Sequence, residues 1–372
     1  MTIDDQTTAL VLLSSLDQVG PARLKWLLGI ADSPIEVLEK LRKRKIPNKS
    51  GPAGLKMELV EKWCNQARKL SESKVVETLG ELNVEVLTPQ RARWPILADD
   101  PDAPALLFAR GNLGHLDAPK IAIVGTRRCS SVGRKVARDL GHELTDQGIS
   151  VVSGLALGID REAHIGAAAA SSPKPVAVLG TGIDVCYPTR NQSLFDRLLE
   201  CGLIISELPP GIQPRRWQFP ARNRIIAGLA DATVVVESHI AGGSLLTADE
   251  AIERDKPVLA VPGSVLSAAC VGTNQLLRDG ATICTGVESV VESVYGFGLS
   301  ERSNSIDETD ASSSLAELIL AEARTGSGTV SSVLTSCSEE PDRVFVEVQR
   351  LVADGKLALT GERLGLVDAT MS

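Results

Sequence analysis

The sequence lacks the patterns that send a chain into or across a membrane. No run approaches the ~18 apolar residues that a span needs, and the start, Met1-Thr-Ile-Asp-Asp5, has no basic-then-apolar order of a secretory signal. The cytoplasm is therefore the expected compartment. Cysteine is present but unorganised: the seven (64, 129, 186, 201, 270, 284 and 337) are odd in number, scattered and never spaced C-x-x-C. That pattern speaks against a disulfide framework or a zinc site and predicts reduced thiols. No G-x-x-x-x-G-K-[ST] loop is present, so Walker-type ATP hydrolysis is unsupported. There is no G-x-S-x-G elbow, and the four histidines (115, 142, 164, 239) contain no pair spaced for a metal. No catalytic residue, metal or cofactor is expected. An excess of positive charge is also missing, since 39 Lys and Arg stand against 47 Asp and Glu for a formal charge of -8. A nucleic-acid site on such a chain must be a local groove rather than a coating of bulk charge.

Against that background one stretch reverses the sign. Arg215, Arg216, Arg222 and Arg224 fall within ten residues that contain no acid, interleaved with Trp217 and Phe219. Arginine forks hold phosphates and aromatic faces stack bases, the combination expected of a single-strand binder. A salt-bridged helix N-terminus explains the same arginines equally simply.

The chain, 372 residues long, has room for two or three domains. From Leu10 to about Gly80, leucines and valines recur at three- and four-residue spacings, which predicts a small helical domain over 1–80. Within it, Leu16 to Leu24 resembles the turn of a helix-hairpin-helix module, whose amides can touch DNA phosphates. A plain helix cap at Gly20 with Pro21 in the first helical turn accounts for the same residues. The basic run Lys40–Lys45 reads as phosphate-facing or as a solvated helix end. A connection rich in Pro and Asp is expected over 81–114.

From 115 to 298 short apolar runs alternate with helix-length segments: 121–124, 149–153, 176–179, 203–206, 233–236, 258–261 and 281–284. Continuous apolar strands imply a sheet covered on both faces, and β-then-α repetition implies parallel strands. The fold class is α/β: a Rossmann-like doubly wound, mostly parallel sheet, with the helical domain before it and a winged-helix-like domain after it. Ligands in such sheets bind beyond the carboxyl ends of the strands. Those ends carry Gly125-Thr126-Arg127, Ser153-Gly154, Gly180-Thr-Gly-Ile-Asp184, Ser206-Glu207 and Gly242-Gly243-Ser244. Glycine permits close backbone approach and the following helix N-termini supply free amides, so several loops together can cradle phosphates. The first loop has no G-x-G-x-x-G and the second strand ends without an acid, which argues against NAD as a ligand. The expected DNA- or phosphate-binding residues are Gly125, Thr126, Arg127, Ser153, Gly154, Arg216, Phe219, Arg222, Asn223, Arg224, Gly242, Gly243 and Ser244. His164 reads as a structural histidine bonded to Asp160 or backbone rather than a general base. Asp160, Asp184 and Glu207 read as carboxylates that orient arginines or cap helices.

Several of these motifs, taken in order, carry a resemblance. Gly125-Thr-Arg127, Ser153 to Asp160 with His164, Gly180-x-Gly182-x-Asp184 with Tyr187-Pro188, Phe219-Pro-Ala-Arg-Asn-Arg-Ile-Ile-Ala-Gly-Leu229, Gly243 to Ala248, and Val261-Pro-Gly263 with Gly272-Thr-Asn274 resemble the DNA-processing protein A (DprA/Smf) family over about residues 118–284. Thr126 stands where the family often has serine, and Ala241-Gly242 precedes Gly243-Ser244 where many members have Ser-Gly-Ser. The resemblance implies a non-enzymatic, homodimeric, cytoplasmic single-stranded-DNA-binding protein that protects incoming DNA and helps load the RecA recombinase during natural transformation. The alternative is a phosphoribohydrolase of the lysine-decarboxylase-like group. Ala241-Gly-Gly-Ser-Leu-Leu-Thr-Ala-Asp-Glu250 keeps part of that group's motif, but one extra residue shifts Glu250 out of the catalytic register.

After Tyr295 the composition turns polar, and 299–314 is expected to be a linker. Residues 315–372 then read as three helices and a hairpin turning at Gly361, the order of a winged helix. The third helix offers Arg343 and Arg350 against Asp342, Glu347 and Asp354, so a protein contact is expected there rather than base reading.

Overall fold

The computed structural model describes residues 3–295 apart from 47–50, 53, 91–92, 97–99 and 101, and beyond them residues 319–320, 323, 329, 344, 348, 351, 357–360 and 363–366. The chain divides into two compact units, Met1–Gly296 and Phe297–Ser372.

The first unit starts with five helices, α1 (Asp5–Ser14), α2 (Pro21–Leu28), α3 (Pro34–Arg42), α4 (Met57–Ala67) and α5 (Glu72–Glu81). Their starts follow local chemistry. Asp4, Ser33 and Ser71 accept backbone N–H bonds as N-caps of α1, α3 and α5. Gly20 is the extended N-cap residue of α2, with Pro21 at its first position, so the helix-cap reading of that turn describes its backbone. The basic run is tied down rather than free. Lys40 Nζ donates to the Ile30 carbonyl, Arg42 pairs with Glu72, Lys43 with Glu39, and Arg44 donates to Asn65.

Strands β1 (Glu85–Leu87) and β2 (Leu107–Gly111) then lead into the alternation β3 (Lys120–Val124), α6 (Ser131–Asp146), β4 (Ser150–Ser153), α7 (Ile159–Ala169), β5 (Pro175–Leu179), α8 (Gln192–Cys201), β6 (Leu203–Ser206), α9 (Gln218–Leu229), β7 (Ala232–Val235), α10 (Gly243–Ile252), β8 (Val258–Ala260), α11 (Val271–Arg278), β9 (Thr282–Ile283) and α12 (Val287–Tyr295). All nine strands form one sheet in the order β1-β2-β6-β5-β4-β3-β7-β8-β9. Every pair from β6 to β9 is parallel, while β1–β2 and β2–β6 are antiparallel. The stretch expected to be an irregular connection therefore holds two strands. Phe108 to Gly111 pair along β6 and extend the sheet by hydrogen bonds that no crossover helix announces.

The chain winds outward from β3 to β6, returns through α9 to β7 beside β3, and winds outward again to β9. The switch point lies between β3 and β7, where a doubly wound sheet opens its ligand crevice. Alternate residues face opposite layers, as the pleat requires. Ala122, Val124, Val152, Val176 and Val178 pack with Ile225, Ile226 and Leu229 of α9 and with Ala248 of α10. Ile121, Ile123 and Val151 pack with Ala137 and Leu140 of α6, Ala163 of α7 and Val290 of α12. A third cluster joins Phe108, Ala177, Leu179 and Ile204 of the sheet to Leu194 and Leu198 of α8 and to Leu12, Leu13, Leu27, Leu41 and Trp63 of the initial helices. The initial helices thus share a core with one end of the sheet.

In the second unit, β10 (Leu357–Thr360) and β11 (Arg363–Leu366) pair antiparallel, consistent with the expected hairpin. The expected linker, the turn at Gly361 and most of the three expected helices lie outside the described residues.

Candidate nucleic-acid interface

The loops after β3 and β7 are joined before any ligand is considered. The Thr126 N–H donates to the Glu237 carbonyl at 2.7 Å, and the Glu237 carboxylate accepts from the Ser130 N–H and hydroxyl at 2.8 and 2.5 Å. This clasp fixes the N-terminus of α6 against the end of β7. Gly158, at φ +81°, lets the next loop pass directly over the Thr126 carbonyl and Arg127 backbone, where a Cβ would collide.

Above this floor opens a groove of about 610 Å³. Gly125, Thr126, Arg127, Arg216, Phe219, Arg222, Asn223, Gly242, Gly243 and Ser244, all expected from the sequence, line it. Gly242 is the N-cap residue of α10, so the first amides of that ten-residue helix face the groove region. Asn223 Nδ2 donates to the Gly243 carbonyl at 3.2 Å, which ties α10 to α9, and Ser244 Oγ donates to Ser238 Oγ at 2.9 Å, which ties it to the loop after β7.

The cations divide sharply. Arg127, Arg128 and Arg216 are exposed and make no ion pair among the described residues. Arg127 lies over the Phe219 ring, 5.5 Å from its centroid, a cation–π contact. Arg222, in contrast, is buried; its Nη1 donates to the carbonyls of Gly154 (2.7 Å) and Val178, while its Nε has no partner. Its phase explains this. Arg222 continues the core-facing stripe of Ile225, Ile226 and Leu229 at helical spacing. Burial lowers its pKa to about 10 against the attraction of Asp160. Burial likewise raises Asp160, whose Oδ2 accepts the Gly154 N–H at 3.1 Å, while Arg222 opposes the rise. Gly154 thus bridges the two charges, and a side chain there would strike the guanidinium.

Three expected residues lie apart from the groove lining. Ser153 is buried and its hydroxyl donates to the Ile123 carbonyl at 2.6 Å. Gly154 sits behind Arg222. Arg224 Nη2 donates to both carboxylate oxygens of Glu207, at 2.7 and 2.6 Å, and its Nη1 donates to the Asp102 carbonyl, with side-chain exposures of only 11% and 10% for the pair. Glu207 orients an arginine, as read from the sequence; burial raises its carboxyl and Arg224 opposes that. His164 is fully buried with neither ring nitrogen hydrogen-bonded, and burial lowers its pKa to about 3, so it stays neutral. Of the two partners expected for His164, Asp160 makes no bond to it, while the Ser153 backbone opposes the lowering of its pKa.

Trp217 does not share the groove with Phe219. It lies outside the groove lining, with its ring against Gly20 of the α2 turn, where a Cβ would come within 2.8 Å of Cη2. The second aromatic of the groove is Tyr187, 41% exposed, with its ring centroid 5.4 Å from that of Phe219. Sequence reasoning noted Tyr187-Pro188 but gave it no role; its position just beyond the end of β5 was the available signal. Arg128 and His239 line the groove as well.

With this geometry in view, the comparisons with known proteins are specific. Residues 85–295 match the family described as DNA recombination-mediator protein A. The chain belongs to that family. It is 44% identical to DNA processing protein DprA of Streptococcus pneumoniae over 190 residues, covering 51% of this chain and 67% of that one. It is 34% identical to Protein Smf of Synechocystis over 291 residues, covering 77% and 72%. The X-ray structure of the S. pneumoniae protein superposes with a TM-score of 0.65 at 30% identity, covering 79% of this chain and 99% of that one. The matched span starts at β1, so the family unit includes both antiparallel strands. Among the described residues no helix is long and apolar enough to cross a membrane.

Proposed function

We propose that this recombination mediator grips single-stranded DNA in the groove at the β3–β7 switch point. One observation carries the reading: unpaired Arg127, Arg128 and Arg216, the α10 amides and the Phe219–Tyr187 pair converge on one open groove. The arginines and the helix N-terminus take successive phosphates, while Tyr187 and the guanidinium lying over Phe219 present flat surfaces to bases. Arg222, balanced by Asp160 in the floor, braces Gly154 and the end of β5, and Asn223 positions the α10 turn. Ser153, Gly154 and Arg224 serve by holding these elements. Bases must be unpaired to reach the aromatic pair, so single strands are preferred over duplex.

Family membership adds the partner side: loading of a RecA-type recombinase in the cytoplasm, by a homodimer, without catalytic turnover. The phosphoribohydrolase alternative loses its key group, because Glu250 accepts from Arg254 at 2.6 Å and lies outside the groove lining. Incubation with nucleoside monophosphates should release no free base. The direct test is competition between labelled single-stranded and blunt duplex oligonucleotides at fixed salt. Preference for the single strand is expected; equal affinity for both overturns the reading.

A further inference from the structure

A second cavity, of about 450 Å³, opens where the initial helices meet the sheet. One wall is the turn Ser14–Val19 between α1 and α2; the other is the segment from Leu208 to Gln218 that leads into α9. Both walls are fixed. The Trp63 indole N–H donates to the Asp17 carbonyl at 2.8 Å, and Gln66 accepts the Asp17 N–H at 3.1 Å. Opposite them, the Gly211 N–H donates to Asp184 at 2.7 Å, the Gly182 N–H to the Ile212 carbonyl at 2.8 Å, and the Arg215 N–H to Gln218 Oε1 at 2.5 Å.

The cavity holds two cations and one acid. Lys62 pairs with Asp17 at 2.5 Å and holds its carboxyl below the usual range, with Arg215 contributing to the same shift. The Arg215 side chain is exposed and makes no ion pair among the described residues. Trp217, 44% exposed, rests its ring edge on Gly20 and adds a broad aromatic surface at the rim. Cation, cation and indole on a preformed concave surface are the components of a nucleotide subsite.

One turn of chain lines both cavities. Arg216 and Phe219 line the groove, whereas their immediate neighbours Arg215, Trp217 and Gln218 line the seam cavity. Adjacent Cα atoms stand about 3.8 Å apart, so a strand leaving the groove past Arg216 meets Arg215 and Trp217 next.

We propose that the seam is a second subsite for the same single strand, taking one nucleotide's phosphate on Arg215 and Lys62 and its base on Trp217. This rests on the groove reading above. The exchange at Lys62 sets a sign: the incoming phosphate competes with Asp17 for the ammonium, so removing that carboxylate strengthens binding.

The test uses the full-length protein and labelled oligothymidylates graded from roughly four to sixteen nucleotides, the range of single-strand site sizes. Wild-type affinity is expected to climb with length in two stages. In the double variant Lys62→Ala with Arg215→Ala the shortest strands bind as in wild type. The longest bind roughly tenfold more weakly, the ratio that loss of one stacked base or two phosphate contacts gives, and their log–log salt slope is shallower by about 1.4. Asp17→Asn shifts only the long strands, in the opposite direction. Equal weakening at every length, or no weakening of the long strands, overturns the seam subsite while leaving the groove in place. Failure of the wild type to bind any strand overturns both. Gain of long-strand affinity on Asp17→Asn distinguishes a phosphate site from a merely structural seam. If that gain is absent and the cavity is instead closed by a protein segment in a cross-linked complex, the seam is a protein dock and the proposal fails.

Discussion

Arg215 and Arg216 lie just ahead of α9, and Arg222 and Arg224 lie within it, yet the two pairs do opposite work. The first pair is exposed and makes no ion pair among the described residues; of the second, Arg222 is buried on backbone carbonyls and Arg224 is largely covered on Glu207. A basic cluster in sequence is therefore two clusters in space. Helix phase separates them, since Arg222 falls on the stripe of Ile225, Ile226 and Leu229 while the turn before Gln218 faces solvent.

The largest effect expected from that contrast is at Arg222. Arg222→Ala leaves Asp160 buried without its counter-charge and two carbonyls without donors, a loss of about 3–5 kcal/mol in chemical denaturation. A variant of unchanged stability would erase the distinction between the pairs. Arg224→Ala is expected to cost less, about 2–3 kcal/mol, because its bonds to Asp102 and Glu207 lie nearer the surface, where water can reach the orphaned groups. Replacing both partners, Arg224→Met with Glu207→Leu, should recover most of that loss. Once folded, either form should bind the shortest strands normally.

Acid tests the same buried layer through His164. Its folded pKa of about 3 lies below the ordinary value of 6.5, so the unfolded chain binds the proton more readily. Its contribution is complete above pH 6.5 and is lost as pH falls toward 3. Between pH 7 and 5 this costs about 2 kcal/mol, and His164→Gln should remove that share of the slope in pH-dependent melting.

Much of this arrangement was legible in the sequence because buried parallel strands are written as continuous apolar runs. All seven runs became strands β3 to β9, and the loops after β3 and β7 were marked as ligand-facing by their glycines and Arg127. β1 and β2 were hidden because the antiparallel end of the sheet is built without a crossover helix, and Pro and Asp surround Leu107–Gly111. The separation of Trp217 from Phe219 was hidden for a different reason. The Trp217 ring is matched to Gly20, almost two hundred residues earlier, and that contact belongs to the tertiary fold alone. The burial of Arg222, by contrast, was available from its spacing to Ile225 and Ile226.

Smaller effects are expected on the exposed side. Arg127→Ala should leave the melting temperature within the range of an ordinary surface change, about 0.5 kcal/mol, yet weaken single-strand binding in a filter or anisotropy assay. A chain ending at residue 296 should fold and bind short strands as the full protein does, since Met1–Gly296 is a compact unit that contains the whole groove. A truncated chain that folds by circular dichroism but loses most of its affinity would move the DNA contact into the second unit.

The central claim, that the unpaired arginines of the groove hold the phosphates of a single strand, is tested most directly by the salt dependence of oligothymidylate binding. Three to five contacts give a log–log slope of about -2 to -3.5 for the wild type, and Arg127→Ala with Arg216→Ala should reduce its magnitude by about 1.4. A wild-type slope near zero, or a double variant with the wild-type slope, would contradict the account.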